Sequence, residues 1–142
     1  MRFERKTLGV MTAMLLTATT AAAQDPPAAT TVTLGDVVFL GEPYGVEAAQ
    51  VAAAMNRRMP AMRQCYARSL AGSPTLAGEM QIDVTFGRNG RATAVTATGL
   101  GSVPAVSQCV AAAVRGASFP RLRPREAQSL RFLVPVTFQR AG

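Results

Sequence analysis

The 142-residue sequence has no histidine and no tryptophan. Its only lysine is Lys6. Without histidine there is no Ser-His-Asp or Cys-His arrangement to activate a nucleophile. Beyond Lys6 there is no Ser-Lys pair and no amine for a Schiff base. Cysteine is as scarce, with Cys65 and Cys109 alone. Two thiolates without an imidazole do not complete an ordinary zinc site. The acids beyond residue 23 are Asp25, Asp36, Glu42, Glu47, Glu79, Asp83 and Glu126, scattered with no paired spacing. Gly99-Leu100-Gly101 lacks the third glycine and the acidic partner of a dinucleotide loop. No catalytic, metal or cofactor site is therefore expected, and the chain is read as a non-enzyme. Long apolar runs are missing too. Leu8 to Thr20 is the longest such stretch, well short of the ~20 residues a membrane-spanning helix needs.

What precedes and follows that stretch gives it a purpose. Arg2, Arg5 and Lys6 form a basic start, and Ala21-Ala22-Ala23 supplies small residues at a cleavage position before Gln24. Residues 1–23 read as a signal peptide cleaved after Ala23, which predicts a periplasmic or secreted protein. The alternative is an uncleaved anchor helix. The remaining chain carries twelve arginines against seven acids, a net charge of +5. In an oxidising compartment two cysteines are expected to pair. A Cys65–Cys109 bridge would close a loop of about 45 residues and destabilise the unfolded chain by about 4 kcal/mol. Its role is then stability rather than chemistry.

Residues 24–41 read as a short Pro/Ala/Thr-rich lead, disordered at first, with Val37 to Leu40 as a minor strand or a packed segment. The domain is expected over residues 42–142. From Val46 to Leu70, the residues Val51, Met55, Met59, Met62, Tyr66 and Leu70 recur every three or four positions, which predicts a helix with one buried face. Pro60 either kinks it or starts a second helical segment. Met80, Ile82, Val84 and Phe86 alternate as a strand, Asn89-Gly90 marks a hairpin turn, and Ala92 to Thr98 returns. A second helix begins near Pro104, and Val106, Cys109, Val110, Ala113 and Val114 form its apolar face. Leu130, Phe132, Val134, Val136 and Phe138 form the last strand, in which Pro135 favours a sheet edge. The fold class is α+β: helix-strand-strand-helix-strand, with a three-stranded antiparallel sheet in order 2-1-3 and two helices on one face.

Several of these positions carry a family likeness. Met59-Pro60 ahead of Cys65-Tyr66, Pro74-x-Leu76-x-Gly78, Gly90-Arg91, Cys109-Val110, Phe119-Pro120 and Val134-Pro135-Val136 before Phe138 follow one another from about Val46 onward. In that order they resemble the TonB C-terminal-like group, most of all the AgmX/PglI C-terminal type of myxobacterial envelope and gliding proteins. The resemblance implies an α+β domain whose two cysteines pair, and a cell-envelope role through protein contacts. It also implies that a partner segment pairs with the final strand. The lead from Gln24 to Gly41 reaches only about 60 Å when extended, so energy transduction across the periplasm is not carried over.

The expected function is therefore an exported protein-interaction module of a bacterial cell-envelope complex, binding a partner through a sheet edge. The partner is an envelope protein offering an acidic extended segment, or a second copy making a homodimer. The residues expected to meet it are Arg121, Arg123, Arg125, Arg131, Phe132 and Thr137. The alternative is an accessory structural protein whose arginines bind an anionic wall polymer or a membrane. A solvated loop is the other open reading of Arg121, Arg123 and Arg125. Nucleic acid is not expected, because the basic residues lack interleaved aromatics.

Overall fold

The computed structural model describes residues 30–123 and 127–140. The proposed signal peptide, residues 24–29 of the lead, and Arg125 lie outside the described residues. Five strands and three α-helices follow one another: β1 (Thr30–Leu34), β2 (Val38–Phe39), α1 (Ala48–Asn56), α2 (Met59–Gly72), β3 (Gly78–Gly87), β4 (Ala92–Gly99), α3 (Pro104–Arg115) and β5 (Ser129–Arg140). All strand pairs are antiparallel. The sheet order is β1-β5-β3-β4, with β2 also on β5.

The strict alternation read in β3 and β5 fixes the core. Met80, Ile82, Val84 and Phe86 face the helices together with Leu130, Phe132, Val134, Val136 and Phe138. They join Val51, Met55, Met59, Met62, Tyr66, Val106, Val110 and Val114 in one cluster. Phe86 stacks on Phe119 with ring centroids 4.8 Å apart, and Phe132 meets Phe119 edge-on at 5.5 Å. Tyr66 is fully buried against Phe138, and its hydroxyl donates to the Leu76 carbonyl. Burial raises the Tyr66 pKa, with nearby Arg140 acting in the opposite direction. The sulfurs of Cys65 and Cys109 are bonded, tying α2 to α3 over this core.

The region expected as one helix is two. Pro60 sits in the first turn of α2, where the amide it lacks would have had no intrahelical partner. The last turn of α1 stops at Asn56, and Arg58 leaves the junction to hydrogen-bond the Ala113 carbonyl at the end of α3, 2.7 Å away.

Two expectations about the sheet are corrected. It has five strands rather than three, because the second half of the lead folds: Thr30–Leu34 pairs with Val136–Arg140, and Val38–Phe39 pairs with Phe132–Leu133. β5 is consequently no edge strand. Its position between β3 and the β1–β2 segment raises the question of where Pro135 finds room. Residues of an antiparallel strand direct both backbone groups to one side and alternate sides along the chain. The Pro135 carbonyl accepts from the Gly35 amide at 2.8 Å, so the missing N–H also faces the β1–β2 side. There it meets the turn between β1 and β2, where no ladder bond is needed. Gly35 is required at that turn, since a Cβ there would lie 2.5 Å from the Pro135 ring.

Candidate functional site

Two surfaces stand out once the core is accounted for. The first is the outer edge of the sheet at β1. Gly35 directs its amide to β5, so Val32 and Leu34, at odd spacing from it, direct their backbone groups outward. Among the described residues no strand pairs with that side. A groove of about 540 Å³ runs beside it, between Val32–Gly35 and the helices, lined by Ala52, Asn56, Met59, Pro60 and Arg63. The opposite sheet edge is β4.

The second surface is built by the hairpin turn of β3 and β4. Gly90 has φ +78°, and its carbonyl accepts from the Phe119 amide at 2.9 Å. A side chain at Gly90 would collide with that same Phe119 carbonyl group. The Arg88 carbonyl accepts from Leu122 at 3.1 Å. These two bonds hold the segment after α3 against the hairpin turn. Phe119 and Leu122 are buried, while Arg121 and Arg123 point away and are exposed. Facing them is the turn that leads into α1. The Val46 amide closes onto the Pro43 carbonyl at 2.9 Å, and both central residues, Tyr44 and Gly45, have positive φ. That conformation is costly for a tyrosine. Gln50 accepts from the Glu47 amide at 2.9 Å and so caps the helix start. Between these parts lies an open depression of about 730 Å³, lined by Glu42, Tyr44, Gln50, Pro120, Arg121 and Arg123 among others.

The six residues expected at a partner site therefore separate. Arg121 and Arg123 come together at this depression. Arg125 is outside the described residues. Arg131 is engaged on the open face of the sheet, where its Nε and Nη2 donate to the two carboxylate oxygens of Asp83 at 2.9 and 2.5 Å. This is the one ion pair among the described residues. The hydrogen bond from Arg131 holds the Asp83 carboxyl below its ordinary range, and partial burial opposes it. Phe132 is a core ring with no exposed surface. Thr137 lies mid-sheet, between Glu79 and Thr33. The sequence reading missed Tyr44, Glu42 and Gln50, although Pro43-Tyr44-Gly45 is a legible turn signal. Among the described residues no cluster of His, Cys, Asp or Glu has metal-holding geometry. No described helix is long and apolar enough to cross a membrane.

Comparison with known proteins returns no match. No family model, no curated protein and no solved structure aligns with this chain. The bonded cysteines fit an extracellular or periplasmic location.

Proposed function

We propose that this chain is exported and acts by binding, as a non-enzymatic interaction module of a bacterial cell-envelope complex. It takes an extended segment of an envelope protein, or of a second copy, as an added strand. The strand on offer is β1 rather than β5. The observation that carries this reading is the outward backbone of Val32 and Leu34, with a groove alongside for the side chains of an incoming strand. Unpaired backbone groups at a sheet edge give such a segment hydrogen bonds, and neighbouring pockets give it specificity. Export is supported by the basic and apolar pattern of residues 1–23 and by the paired cysteines. The resemblance to the TonB C-terminal-like group supports an envelope role, with the pairing edge moved from the last strand to the first described one.

The test uses the outward donors themselves. Leu34→Pro removes an amide that makes no bond to β5, so the sheet keeps its own ladder. A photo-crosslinking residue at Thr31 should capture a specific protein in native envelopes, and the Leu34→Pro variant should lose that product. A folded Leu34→Pro protein that yields the same crosslink with the same efficiency rules out strand addition at this edge.

A further inference from the structure

Arg121 and Arg123 belong to neither the core nor the β1 edge. The depression they line continues into a second one of about 430 Å³ through shared walls at Gln50 and Pro120. Together the two make a channel between α1 and the segment from Ser118 to Arg123. Gln50 and Ala53 on one face of α1, with Arg57 at its C-cap, form one bank. The charge along it is one-sided: Arg57 at one end, Arg121 and Arg123 at the other, with Glu42 the only acid among the lining residues. No ion pair among the described residues engages these three arginines. Arg57 does turn its Nε back to the Ala53 carbonyl at 3.4 Å, a contact too long to hold it firmly.

We propose that this channel binds an acidic peptide in extended conformation, with alternate carboxylates meeting Arg121 and Arg123. An elongated channel takes a chain, and three cations select an anionic one. The spacing selects a peptide. Arg121 and Arg123 are exposed on either side of the buried Leu122, so their side chains leave the same side of the segment, spaced by about 6.6 Å where two residues are extended. Acidic residues at positions i and i+2 of a second extended chain repeat at the same distance. Guanidinium groups engage carboxylates in fixed, paired geometry, so matching the period matters more than total charge. Tyr44, held by its left-handed backbone at the channel mouth, adds a flat apolar wall beside the arginines. The site is separate from the β1 edge and does not depend on strand addition there.

The experiment measures fluorescence anisotropy of two labelled octapeptides titrated with the full chain. One alternates Glu and Ser; the other, a block isomer of the same composition, repeats Glu-Glu-Ser-Ser and so places no two Glu at positions i and i+2. Polygalacturonate and vesicles containing phosphatidylglycerol serve as competing anions. The alternating peptide should bind more tightly than the block isomer, and added salt should weaken it. Arg121→Gln and Arg123→Gln should each weaken binding roughly three- to tenfold, as for partly exposed charge pairs. Arg68→Gln, on α2 beside the disulfide, should leave it within about a factor of two. The substituted arginines are exposed, and circular dichroism checks that each variant is folded. The proposal is overturned if the double variant binds like wild type, if the block isomer binds equally well, or if no binding reaches millimolar affinity. It is also overturned if polygalacturonate or vesicles bind more tightly through the same arginines, which would assign the channel to a wall polymer or a membrane. Leu34→Pro should leave peptide affinity unchanged, and a loss there would place the peptide at the sheet edge instead.

Discussion

Phe132 and Arg131 are neighbours in β5, yet their side chains serve opposite faces of the sheet. Phe132 is fully buried, with its ring against Phe86 and Phe119. Truncating it to alanine removes a large apolar side chain from a packed site, so Phe132→Ala should cost about 3–5 kcal/mol in denaturant unfolding. A cost below about 1 kcal/mol would contradict its burial. Arg131 is exposed and bonded to Asp83. The folded state lowers the Asp83 pKa, so this carboxylate favours folding above the unfolded aspartate value of about 3.9. That contribution disappears as the pH falls through the lower folded value. Asp83→Asn should therefore flatten the acid limb of the stability curve below about pH 4, leaving the rest of its shape unaltered. Equal acid sensitivity in the two proteins would mean the pair contributes nothing. At this scale the sequence was legible on the apolar side and illegible on the charged one. Alternation told which residues of β5 face inward, because period two is local. The Asp83–Arg131 pair joins residues 48 positions apart, and no local pattern announces such a partner.

Among elements, β1 is the one that sequence reading passed over, and the reason is compositional. Thr31-Val32-Thr33-Leu34 alternates as a strand should, but it follows a Pro/Ala/Thr-rich stretch and is too short to be a strand by itself. Its stability comes from pairing with β5 and from burying Val32. Pro135 misled in the same way: a missing donor suggested an edge, whereas the donor is missing at the turn between β1 and β2. Deleting the chain through Gly35 should bare the β5 backbone that β1 now pairs. That variant should lose stability and self-associate with rising concentration in sedimentation experiments; a well-folded monomer at all concentrations would show that β1 adds little. The disulfide joins α2 and α3 instead of strands. Replacing Cys65 and Cys109 together by serine should lower stability by up to about 4 kcal/mol, less any gain from relieved constraint. Peptide mapping without reductant should recover the linked pair from the wild-type protein. The two-helix reading around Pro60 was left open by the sequence because a proline is tolerated both at a kink and in a first turn.

Over the whole molecule, the sheet closes by bringing the two ends of the described chain together: Thr30 pairs with Arg140. The local hairpin of β3 and β4 needs only a short loop, and β3 meets β5 after an excursion that includes α3. The β1–β5 pairing spans nearly the whole domain and so carries the largest loop-closure entropy. Contacts of that kind are expected late, after the β3–β5 ladder has made a surface for them. This gives kinetic meaning to the edge proposed for binding, because an element that docks last is also the one most easily opened. Val32 is buried in β1, and Val32→Ala should cost about 1–2 kcal/mol, enough for a reliable kinetic comparison. If β1 docks after the transition state, nearly all of that cost should appear as faster unfolding, with the folding rate unchanged. Val84→Ala in the central strand should instead slow folding measurably. Stopped-flow folding of the disulfide-intact protein decides between them. A φ value above about 0.5 at Val32 would place β1 in the folding nucleus, and the sheet edge would then be a fixed wall of the domain rather than its loosest strand.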